Sequence, residues 1–126
     1  MSEIRANTIS NAAGTGPATL TKQSAAKAWV NFNGTGTIAA RDSFNVSSLT
    51  DGSTGIYTIN WTAAMSDANY VFLGTSGAST SYYLFISPNS AGTKTASAYR
   101  LDVVRNDVGN NDDPTYVNTA VHGDLA

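Results

Sequence analysis

The chain has no cysteine, which removes disulfides, thiolate metal sites and cysteine nucleophiles and fits synthesis in a reducing cytosol. It has one glutamate and three lysines. Exposed helices normally carry such residues in pairs three or four apart, so long solvent-facing helices are not expected. Charged residues make up 13% of the chain, about half the usual globular share. With a net charge of −2 and no basic run, the chain lacks the Lys and Arg clusters that neutralise phosphates, so no nucleic-acid partner is expected. No apolar run approaches the roughly 20 residues of a membrane-spanning helix. The opening "MSEIRANTIS" also lacks the apolar centre of a signal peptide, so no membrane insertion is expected. Aromatic residues are absent before Lys27.

Neutral polar residues fill the gap: 14 Ser, 16 Thr and 12 Asn in 126 residues. Such a composition favours strands and turns. From Ala28 onward, apolar runs occupy residues 28–32, 37–40, 43–49, 55–62, 69–74, 81–87, 96–104 and 115–121. Between them lie Gly, Asn, Asp and Pro clusters such as "NGTG", "TDGSTG", "TSGAST" and "NDVGNNDDP". Short runs at this spacing predict an all-β fold, an antiparallel β-sandwich or small barrel. Alternation agrees: Tyr57, Ile59 and Trp61 share one face of a strand, as do Phe44 and Val46, and Tyr99, Leu101 and Val103. "NYVFLG" and "YYLFIS" are apolar on both faces, which predicts central strands or strands at a subunit interface. "TKQSAAKAW" offers one helical turn with Thr21 as its cap. The chain therefore divides into an extended segment, 1–27, and a sandwich domain, 28–126.

Residues 26–72 carry the words "KAWVNF", "GTG", "SFNVSS", "GIYTINW" and "AMSDANY" in that order. This run resembles the C-terminal knob domains of tailed-bacteriophage fibres, particularly those of marine phages. The opening "TISNAAGTGPA" (residues 8–18) is similar to the segment that precedes such domains, and "YVNTAVHGD" to their last strand. The resemblance implies a homotrimer in which residues 1–27 form a short fibre or attachment segment. Ile4, Ile9 and Leu20 are its only large aliphatic residues. A segment so poor in apolar surface gains a core when three copies pair around one axis, and its Ala and Gly residues let the backbones approach.

Catalytic chemistry finds little support. His122 is the only histidine, and no "HExxH", "GxSxG" or phosphate loop is present. Most acids, among them Asp51, Asp67, Asp112 and Asp113, lie in turn signals rather than facing each other across a strand pair. Residues 106–114 gather oxygen ligands, but not at the spacing of a calcium loop. They read as a turn capping its own backbone, so neither metal nor cofactor is expected. Alternation assigns Trp29, Tyr57 and Trp61 to the core. Binding variation belongs on exposed loops of a rigid frame. The expected host-facing residues are Ser76, Ser79, Thr80, Tyr82 and Tyr83 around "TSGASTS", with Asp107, Asn110, Asn111 and Asp112 in "NDVGNNDDP".

The resemblance thus implies a non-enzymatic virion protein, made in the cytoplasm of the bacterial host. Its partners would be two further copies of itself, other tail or capsid proteins, and a host-surface glycan or outer-membrane component. The start at Met1 and the short shaft-like region raise an alternative, a head fibre or capsid decoration protein. A free carbohydrate-binding sandwich accounts for the aromatics but leaves residues 1–27 without a role.

Overall fold

A computed structural model describes residues 13, 25–77, 84–88 and 94–126. Ile4, Ile9 and Leu20, the expected trimer contacts, lie outside the described residues, as does Thr21. The strands are β1 (Ala28–Asn33), β2 (Ala39–Phe44), β3 (Val46–Ser53), β4 (Ile56–Trp61), β5 (Val71–Gly77), β6 (Leu84–Pro88), β7 (Ala98–Arg105) and β8 (Tyr116–His122). They form two antiparallel sheets of order β2-β1-β8-β5 and β3-β4-β7-β6, packed face to face as a β-sandwich.

Side-chain alternation builds the core. Ala28, Val30 and Phe32 of β1 and Val117 and Val121 of β8 are buried from one sheet. Tyr57, Ile59 and Trp61 of β4 meet them from the other, with Tyr99, Leu101 and Val103 of β7. The Phe32 and Tyr57 rings meet edge to face at 5.1 Å, and Phe72 stacks on Tyr99 at 4.0 Å. Both geometries suit the aromatic quadrupole. Met65 and Tyr70 close one end, where the Tyr70 hydroxyl donates to Thr95 O and Ala98 O, both at 3.0 Å.

Three expectations are corrected. The helical turn does not extend to its end: residues 25–27 are non-helical and Ala28 opens β1. Strand pairing on both sides of β1 and burial of every second side chain outweigh the helix propensity of its alanines. Phe44 and Val46 do not share one strand, because Asn45 turns the chain from the first sheet to the second with φ of 57°. Finally, of the two readings of the doubly apolar strands, central strand or subunit interface, the first is excluded, because β5 and β6 are edge strands. Their inner residues Phe72, Leu84 and Ile86 pack on the core, while Val71, Leu73 and Phe85 stay exposed.

Asn45 suits its corner. Asparagine tolerates the left-handed region better than most side chains. Its amide donates to Lys27 O and Ala63 O at 3.0 and 3.1 Å and accepts from Ala63 N at 2.7 Å. One side chain thus ties the start of β1 to the segment after β4. At the opposite end, Gly55 has φ of 63°, and a Cβ there would lie 2.7 Å from Asp112 N and O and Val103 O. Only glycine fits.

The registers sort the loops by end. Ala28 pairs with Val121 and Val71 with His122, so the chain arrives at the end where β8 finishes. Gly77 pairs with Tyr116 and Leu84 with Arg105, so the β5–β6 and β7–β8 connections leave from the other end. That end is the tip.

Candidate functional site

The outer face of the first sheet carries a row that crosses all four strands. Trp29 pairs with Phe44 on one side and Ala120 on the other, and Ala120 pairs with Leu73. Phe44, Trp29 and Leu73 are 52%, 36% and 54% exposed, so this is an apolar stripe open to solvent. The assignment of Trp29 to the core is therefore corrected. Val30 and Phe32 take the buried face of β1, and strict alternation sends Trp29 outward beside Asn31. Tyr57 and Trp61 do lie in the core.

The stripe is not flat. Ala120 offers only a methyl group between the larger Trp29 and Leu73, which stand two strand spacings apart, roughly 10 Å. A trough of about 280 Å³ lies over it, lined also by Asn31, Thr75 and Asn118. Among the described residues, no charged side chain lines it.

One pleat further along, Asp42, Asn31, Asn118 and Thr75 form the next row. Arg41 Nη1 donates to Asn31 Oδ1 at 3.3 Å, Asn31 Nδ2 donates to Asn118 Oδ1, and Asn118 Nδ2 donates to Thr75 Oγ1 at 3.5 Å. Every bond in this relay runs the same way, which fixes both amide orientations. Arg41 is itself held by Thr115 O at 2.7 Å and by the Tyr116 ring, whose centroid lies 4.4 Å from its guanidinium carbon.

Of the host-facing residues expected from the sequence, Ser76, Asp107, Asn110, Asn111 and Asp112 fall at the tip. Ser79, Thr80, Tyr82 and Tyr83 lie outside the described residues. Ser76 sits near the end of β5, with its Oγ buried and without a hydrogen-bond partner among the described residues. Asp107 and Asn110 are exposed, while Asn111 and Asp112 are half-buried. Arg105 clasps Asp107 at 2.6 Å, and its guanidinium holds that carboxyl below the usual carboxylate range. Arg105 N donates to Asn110 O at 2.9 Å and Asp112 N to Val103 O at 3.0 Å, strapping the loop to β7. Asp113 then accepts from Gly55 N at 2.6 Å and from the Tyr57 hydroxyl at 2.8 Å. Burial and that bond push the Tyr57 phenol well above its ordinary pKa. The second half of this loop is an anchor, and its first half is the part offered to solvent.

The trough itself was not among the expected sites. Its sequence signal was present in "AWVNF", where Trp29 shares its face with Asn31 rather than with Val30 and Phe32. Asn118, Thr75 and Ala120 join it only through pairing of strands remote in sequence. Among the described residues, no three His, Cys, Asp or Glu side chains gather as a metal site, and no helix is long and apolar enough to cross a membrane. Comparison of the chain with known proteins finds no matching family model, curated protein or solved structure.

Proposed function

We propose that the chain is the knob of a tailed-phage fibre, a non-enzymatic virion protein that assembles as a homotrimer and binds the bacterial surface. The observation that carries this reading is polarity along the sandwich. The chain arrives at one end, and the β5–β6 and β7–β8 connections leave from the other. A module tethered at its base and presenting variable loops at its tip suits recognition. The resemblance supports it too, since its words fall on β1, the β2–β3 corner, β4 and the link to Tyr70. Residues 1–27 supply the tether, and three weak sites per fibre multiply into avidity.

The test compares adsorption by phage particles with and without the protein. Particles lacking it should adsorb poorly to host cells, and antibody labelling should place it on the tail. Normal adsorption together with labelling on the capsid would favour a head fibre or decoration protein instead.

A further inference from the structure

The trough over Ala120 is shallow and open with a mainly apolar lining, and we propose that it binds one pyranose ring of a neutral glycan through the sugar's apolar face. This deepens the host-surface reading and rests on it. Size comes first. A trough of about 280 Å³ falls just below the roughly 300–1,000 Å³ of sites for drug-sized molecules, so it suits a single ring. Its wall at one side is the exposed Trp29 ring, and at the other the Leu73 side chain. A sugar presents an apolar C–H face to such a wall and hydroxyls at its rim.

The rim has matching partners. Each amide NH2 of Asn31 and Asn118 carries two hydrogens and spends one in the relay, leaving one without an acceptor among the described residues. Thr75 ends the relay as an acceptor, so its hydroxyl hydrogen is available to a ligand oxygen. These groups are orientated before a ligand arrives, which lowers the ordering cost of binding. Charge decides the class. Among the described residues the lining is uncharged, and Arg41, which bonds to Asn31 of the lining, is already held by Asn31, Thr115 O and the Tyr116 ring. Among the described residues an anionic sugar would find no free cation in this trough, whereas neutral hydroxyls find amides and a hydroxyl.

The experiment titrates the full-length protein with the methyl glycosides of mannose, galactose and glucose, followed by two-dimensional amide and indole NMR. At least one should shift the Trp29 indole and the Asn118 and Thr75 signals saturably. Trp29→Ala, Ala120→Leu (which fills the trough) and Thr75→Val should each weaken binding, Trp29→Ala by about two- to tenfold, as loss of a ring contact implies. Thr75→Val keeps the shape of an exposed edge residue, so it reads the site even if a bulkier change disturbs folding. Absence of saturable shifts with all three sugars overturns the proposal. So does a change of oligomeric state in Trp29→Ala, which would make this face a contact between copies. Adsorption separates the two levels. Normal adsorption by Ala120→Leu particles, with poor adsorption by particles lacking the protein, overturns the sugar site and leaves the knob reading standing. Normal adsorption by particles lacking the protein overturns both.

Discussion

The two tryptophans occupy opposite environments on strands of similar pattern. Trp61 is 6% exposed and its ring meets Tyr70 edge to face at 6.2 Å, while Trp29 lies on the outer face of its sheet, 36% exposed. Trp61→Ala should therefore lower unfolding free energy by about 3–5 kcal/mol through a core cavity. Trp29→Ala should change it by less than about 1 kcal/mol, as for most surface positions. Urea denaturation of both variants checks the contrast, and comparable losses would return Trp29 to the core. Both lie in alternating strands, and alternation alone does not say which of two faces is the inner one. What separates them is the neighbour set: Tyr57 and Ile59 share the face of Trp61, but Asn31 shares that of Trp29.

At the scale of elements, Asn45 decides where one strand ends and the next begins. Replacing it with alanine loses three hydrogen bonds and puts a Cβ residue without compensation at positive φ. A loss of about 2–4 kcal/mol is expected. Asn45→Gly loses the same bonds but keeps the backbone conformation, so it should be the milder change. Denaturation midpoints in the order wild type, glycine, alanine check this; an alanine variant as stable as the glycine one would remove backbone strain from the account. Most strands were legible, because their turns are marked by Gly, Asn, Asp and Pro. The β2–β3 corner was not, since "SFNVSSL" alternates through Asn45 as an unbroken strand would. The positions of β5 and β6 also escaped, because an apolar edge and an apolar centre read the same along one chain.

For the whole molecule, stability should fail on the alkaline side through its buried phenols. Burial pushes Tyr70 up to about 12 from 10.0, and it raises Tyr57 and Tyr99 as well. The folded chain keeps these protons when the unfolded chain has released them, so this contribution is complete below pH 10 and is lost as pH rises towards 12. Melting temperature followed across that window should fall with pH, and Tyr70→Phe should flatten the fall. A constant melting temperature would contradict the burial of these hydroxyls. Assembly belongs to the same scale. Light scattering on the intact protein should give three times the 13.1 kDa chain mass, and removal of residues 1–27 should give a folded monomer. A full-length monomer would end the trimer reading.

The proposed role, attachment of a virus to its host, is tested most directly by binding of the labelled, full-length protein to intact cells. The account predicts saturable binding to host cells, none to resistant cells, and competition with adsorbing phage. Binding that is equal on both cell types, or absent from both, would contradict it.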